Sequence, residues 1–262
     1  MTLSFDRYCS EIVSQTSLLA DCVRDADLTT PVPSCPGWDL SRLLHHLGDV
    51  HRWAETTVRT RATGPLPVEH SAGLAVPASN DPAVLVPWLT EGAGQLAATL
   101  RGTGPDAAMF TPFPSGTARF YARRFTHETA VHRADATLAL GAPYALDQDV
   151  AADAVDEWLE LGTQPRNFDV HPELRELLGP GRTLHFHATD TPPEADAEWV
   201  VDLTGDVATW RRAHEKSAVA VRGPLTDLLL IVYRRRPPAG DAIQVFGDQD
   251  LLAYWLDRVS FG

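Results

Sequence analysis

Thr117-Ala-Arg-Phe-Tyr-Ala-Arg-Arg-Phe-Thr-His-Glu-Thr-Ala-Val-His-Arg-Ala-Asp-Ala-Thr-Leu-Ala-Leu140 holds neither Pro nor Gly and reads as one helix. Glu128 and His132 are four residues apart and so stand one above the other on a single face. Tyr121, Phe125, Ala136 and Ala139 share that face, which is expected to point at a core. Arg123, Thr126, His127, Arg133 and Thr137 fall on the opposite side, expected to be wet. A carboxylate and an imidazole on an inward stripe are costly unless paired with each other or bound to a metal. The fold is decided by what this stripe meets.

Upstream, Ser4 is placed to cap a helix running to about Asp25, with Phe5, Tyr8, Ile12 and Leu19 on one side. Turn residues fill 28–37. Asp39 then opens a helix whose Leu40, Leu43, Leu44, Leu47, Val50 and Ala54 recur at helical spacing. His46 falls on that stripe, His45 with Asp49 and Arg52 on the wet side, and His51 on the flank. Residues 63–80 read as loop. Asp81-Pro82 is a cap followed by Pro at the first helical position, starting a helix to about Leu100 that contains Gly92 and Gly94. Residues 102–116 are a second loop. Asp147 is placed to cap a fifth helix through Val150, Ala154, Trp158 and Leu161.

The pattern changes after Gly162. Thr183–Thr189 and Glu198–Leu203 alternate with period two, and Ala218–Arg222 and Ala242–Phe246 are further strand candidates. Helices are expected over Leu225–Arg235 and Asp248–Val259. This order implies an N-terminal helical bundle over residues 1–165 and a small mixed α/β domain over 166–262. No internal repeat or low-complexity tract is visible.

The 262 residues carry 22 Lys plus Arg against 35 Asp plus Glu, a net charge of −13 that argues against nucleic acid or an anionic membrane as partner. No apolar run reaches the length of a membrane span, and the N-terminus lacks a secretory pattern. Three cysteines, Cys9, Cys22 and Cys35, form no disulfide framework and fit a reducing cytoplasm.

His46, Glu128 and His132, on two helices of a bundle, make a His₂Glu set, the donor pattern of a catalytic zinc site with one open position. A helix-surface Glu–His pair beside a core histidine accounts for the same spacing. His185 and His187 share a strand face and could ligate a metal together; the alternation of Leu184, Phe186 and Ala188 reads instead as a surface or edge strand with its histidines in solvent. Arg234-Arg235-Arg236 reads as cations at a helix C-terminus, or as an anion site.

Pro33-Ser-Cys-Pro-Gly-Trp-Asp-Leu-Ser-Arg-Leu-Leu-His-His-Leu-Gly48 resembles the second-helix signature of the mycothiol-dependent maleylpyruvate isomerase family, among the DinB-like metal-binding bundles. His46-Leu47 and the pair Glu128 and His132 match that family's metal-ligand motifs. Val221–Leu230, the Arg-Arg-Arg-Pro run and Val245–Asp248 are similar to its second, sterol-carrier-like domain. The resemblance implies Zn²⁺ or another divalent metal on His46, Glu128 and His132, and mycothiol as the thiol. It also implies a small electrophilic substrate, such as a carboxylate held by Arg235, and a monomer or homodimer. The reaction it implies is cis–trans isomerisation or S-transfer. A metal-dependent hydrolase or lyase without thiol, and a non-catalytic metal-containing binding protein, are the alternatives.

Overall fold

A computed structural model describes residues 2–66 and 77–259. Residues 67–76 of the expected 63–80 loop lie outside the described residues. The chain divides into two compact units, Leu3–Tyr144 and a second from Ala145 onward. The first holds helices α1 (Phe5–Val23), α2 (Leu40–Thr60), α3 (Pro82–Thr103) and α4 (Ala118–Ala139). Among the described residues no helix is long and apolar enough to cross a membrane.

The bundle helices begin where their sequences supply caps. Ser4 accepts from the Arg7 amide at 3.1 Å, Asp39 from Arg42 at 2.8 Å and Asp81 from Ala83 at 2.8 Å; each such bond satisfies an amide the helix itself leaves open. Leu40, Leu43, Leu44 and Leu47 of α2 are fully buried with Leu19, Val23, Leu85 and Leu89. Each contributes about 1.5–3 kcal/mol by leaving water.

Two glycines set the approach of α2 to α3. A Cβ on Gly48 would overlap the Trp88 ring, and one on Gly92 would overlap the Arg52 guanidinium. Into the space they leave, Arg52 stacks over Trp88 at 4.2 Å and donates to the Gly48 and Trp88 carbonyls at 3.2 and 2.6 Å. Arg52 was expected in solvent; it is buried because this close approach supplies its donors with backbone oxygens.

The wet face expected on α4 is also absent. Thr126, His127, Arg133 and Thr137 are buried. They face α1, which offers polar partners: Thr126 Oγ1 donates to the Tyr8 carbonyl at 2.9 Å, and Arg133 Nε donates to Gln15 Oε1 at 2.7 Å. Gln15 in turn donates to Glu11 at 2.8 Å. Buried polar groups here are paid for by hydrogen bonds rather than avoided.

The second unit holds α5 (Gln148–Gly162), a short α6 (Pro165–Val170), β1 (Thr183–Ala188), β2 (Glu198–Asp202), β3 (Thr209–Arg212), β4 (Val219–Gly223), α7 (Leu225–Val232), β5 (Gln244–Gly247) and α8 (Gln249–Arg258). The contacts thus divide at 144/145, ahead of the 165/166 join read from composition, because α5 packs with the later elements. Trp158 lies against Tyr233 with ring centroids 4.4 Å apart, and Asp156 accepts from Trp199 Nε1 at 2.7 Å and from Arg212 at 3.0 and 2.8 Å. Asp147 sits at the α5 N-cap position without a side-chain capping bond.

The five strands form one mixed sheet in the order β3-β2-β1-β4-β5, with β1 and β4 parallel and the other pairs antiparallel. β1 is therefore the central strand, not an edge. His187 pairs with Glu198 across the β1–β2 ladder. α7 stops at Val232, short of the expected Arg235, because Arg234 adopts φ 61°, a left-handed conformation that ends a helix.

Candidate metal centre

Residues 31–39 form a folded loop ahead of α2. Val32 donates to the Trp38 carbonyl at 2.9 Å and Trp38 to the Cys35 carbonyl at 3.0 Å, with Gly37 at φ 79°. That φ favours glycine, so the Pro-Gly-Trp turn has a conformational cause. The turn seats the Trp38 ring 4.9 Å from the His46 ring and stacks it at 6.1 Å and 19° to the His132 ring.

His46 from α2 and Glu128 and His132 from α4 converge. His46 Nε2 and His132 Nε2 lie 3.4 and 3.3 Å from the same oxygen, Glu128 Oε1. These separations are long for charge-assisted hydrogen bonds, which close to about 2.7–2.9 Å. They match the spacing of donors around a tetrahedral zinc, about 3.3 Å when each ligand is about 2.0–2.1 Å from the ion. The side chains of His46 and Glu128 retain 33% and 28% exposure, so the donor atoms open to an approaching ligand.

The far nitrogen of His132 is fixed. Nδ1 donates to Asp135 Oδ2 at 2.9 Å, and Asp135 also accepts from Ser34 Oγ at 2.6 Å and from the Cys35 thiol at 3.5 Å. A carboxylate on the outer nitrogen sets the tautomer that turns the Nε2 lone pair toward a cation. Cys35, His132 and Asp135 also fall within the spacing of a ligand group. Their bonds to one another make this group the support of His132. Asp135 lies three residues after His132 on the same helix, within reach of its ring, but its bonds to Ser34 and Cys35 come from distant sequence.

Burial opposes charge on Glu128, but hydrogen bonds from His132 and His46 and the Arg124 cation, 3.3 Å away, hold its carboxyl well below the ordinary value. Burial likewise opposes charge on His132, yet its bonds to Asp135, Cys35 and Glu128 hold its pKa well above the ordinary value. The pocket therefore favours positive charge between Glu128 and Asp135, which a divalent ion held by His46, Glu128 and His132 would supply in place of the Nε2 proton. Donor spacing, opening and support all fit a metal of the zinc class.

The neighbouring histidines lie elsewhere. His45 Nε2 contacts the Pro77 carbonyl at 3.0 Å. His51, expected on a flank, is fully buried and bonds Thr129 Oγ1 at 2.9 Å. Arg235, half-buried just past α7, donates Nη1 to the Tyr233 carbonyl at 2.8 Å.

The mycothiol maleylpyruvate isomerase N-terminal domain model matches residues 9–137, and the corresponding C-terminal domain model matches residues 149–254. No curated protein matches the chain. Crystal structures of the mycothiol-dependent maleylpyruvate isomerase share the fold: the enzyme at 17% identity and TM-score 0.57, and a mutant of it at 16% and 0.59, each alignment covering 94% of this chain and 95% of the other. With the two domain models accounting for both units, the chain belongs to the mycothiol maleylpyruvate isomerase family.

Proposed function

We propose that the protein is an enzyme that holds a divalent metal, zinc by its donor set, on His46, Glu128 and His132 and uses mycothiol on a small electrophilic substrate. The observation that carries this is the 3.3 and 3.4 Å spacing of two imidazole nitrogens about one carboxylate oxygen, at an opening. When bound, the metal supplies a thiolate at neutral pH, where a free thiol of pKa about 8.5 is only a few per cent ionised. The chain's own groups do the rest. Asp135 orients His132, Arg124 keeps Glu128 ionised, and Trp38 walls one side of the donor set. Arg235 is assigned to bind a substrate carboxylate, as its fork of donors suits. The overall reaction is cis–trans isomerisation if the thiol is returned, or S-transfer if it is retained. Metal content and thiol-dependent turnover are measured in the purified protein and in His46→Ala; both fall together if the reading holds. Turnover that persists without mycothiol points to a metal-dependent hydrolase or lyase instead.

A second reading has its own observation. Trp158, Phe168, Leu177 and Trp255 line a cavity of about 420 Å³ in the C-terminal unit, within the size range of small-ligand sites. In that reading the second domain carries an apolar ligand and the metal is structural. Native mass spectrometry that finds a copurifying lipid, with no thiol dependence, would select it.

A further inference from the structure

The sheet of the C-terminal unit carries a second convergence of ligand-type side chains. His187 Nδ1, His185 Nε2 and His214 Nδ1 lie 2.7, 2.9 and 2.6 Å from one atom, Glu198 Oε2. The three imidazole rings stand 5.7–5.9 Å apart, at 68–87° to one another. We propose that His185, His187, Glu198 and His214 form a second metal centre, for a divalent transition metal of the zinc class.

The sheet register builds this centre. His185 and His187 are two apart on β1 and share a face. Glu198 sits opposite His187 on β2. His214 follows β3, whose end is tied to β2 by the bond from the Ala213 amide to the Glu198 carbonyl at 3.2 Å. Four donors thus come to one point from two adjacent strands and the segment that follows a third.

A carboxylate oxygen has two lone pairs in its plane and cannot accept well from three ring N–H groups at once. Three imidazoles that turn lone pairs inward instead leave a pocket for a cation beside one negative oxygen. At 2.6–2.9 Å the contacts stand at hydrogen-bond length in the metal-free cluster, and they open by about 0.4–0.7 Å to reach the roughly 3.3 Å between tetrahedral donors about zinc. Three nitrogens and one oxygen are the borderline donors of zinc and its neighbours rather than of magnesium or calcium, which take oxygen. All four positions come from protein, the pattern of a closed structural site. Its role is to pin the segment after β3 to the centre of the sheet.

The full chain, stripped by chelator and reloaded with Zn²⁺ or Co²⁺, is passed through gel filtration and its metal counted. The result expected is an equivalent that persists in the folded double variant His46→Ala/His132→Ala. That equivalent is lost, or bound at least about tenfold more weakly, in His187→Ala and in His214→Ala. Cobalt held there gives the intense visible absorption of four-coordinate geometry. His214 is exposed, so its replacement leaves the fold intact and keeps the experiment decisive. Retention unchanged by both His187→Ala and His214→Ala overturns the proposal, as does a His46→Ala/His132→Ala protein that is folded by circular dichroism and binds no metal.

Discussion

His132 donates from Nδ1 to Asp135 at 2.9 Å while its Nε2 lies 3.3 Å from Glu128. One ring thus joins a buried carboxylate, which is held by the 31–39 loop, to the donor set. Asp135→Asn keeps the size and the contacts to Ser34 but weakens the acceptor for Nδ1. Metal affinity is expected to fall about 10–100-fold with the fold retained. Competition with a chromogenic chelator measures it; an unchanged affinity would separate Asp135 from the centre.

The convergence of His46, Glu128 and His132 was legible because helical spacing marks which residues share a face, and the Pro-Gly-Trp resemblance picks one of three clustered histidines. Asp135 was not, since its partners Ser34 and Cys35 are about a hundred residues away in the chain and no periodicity reports such contacts. The same limit hid the C-terminal cluster. The alternation in β1 shows that His185 and His187 share a face, but Glu198 and His214 join them only through the order of neighbouring strands. β3 was missed because Thr-Trp-Arg-Arg is short and nearly without apolar residues. On α4 the far face looked wet because its polar residues find polar partners on α1.

The close approach of α2 and α3 leaves no room for a Cβ at Gly48 unless a neighbour shifts. In Gly48→Ala the new Cβ lands on the Trp88 ring, which is held in place by the Arg52 guanidinium. Either the ring or the helices must move, and such overpacking costs about 1–3 kcal/mol. Urea unfolding should show a lower midpoint at unchanged slope. Stability equal to that of the unmodified chain would mean that the ring yields freely.

Asp156 answers both Trp199 Nε1 and the Arg212 guanidinium from within α5. Removing it in Asp156→Ala leaves a buried indole donor and a largely buried cation without this acceptor. A loss of about 3 kcal/mol is expected. Because α5 packs with the sheet, the loss should appear in the unfolding of the C-terminal unit, with no change at the proposed His46, Glu128 and His132 centre. A loss below about 0.5 kcal/mol would mean that solvent replaces Asp156.

His51 gives a pH dependence whose sign is fixed. Thr129 Oγ1 donates to the Phe125 carbonyl at 2.6 Å, so it accepts from His51 Nε2 at 2.9 Å, and the ring is neutral. Burial pushes its pKa down to about 3, while in the unfolded chain it is near the ordinary 6.5. Above pH 6.5 neither state is protonated, and this stability is fully present. Between pH 6.5 and about 3 only the unfolded chain takes up the proton, so stability falls with pH, by up to about 1.4 kcal/mol per unit from this group. His51→Gln, which cannot titrate, should flatten the fall between pH 6.5 and 5 relative to the unmodified chain, whatever its effect at pH 7. Thermal melts of the two proteins across that range measure the difference. Parallel curves would show that His51 does not carry the pH dependence.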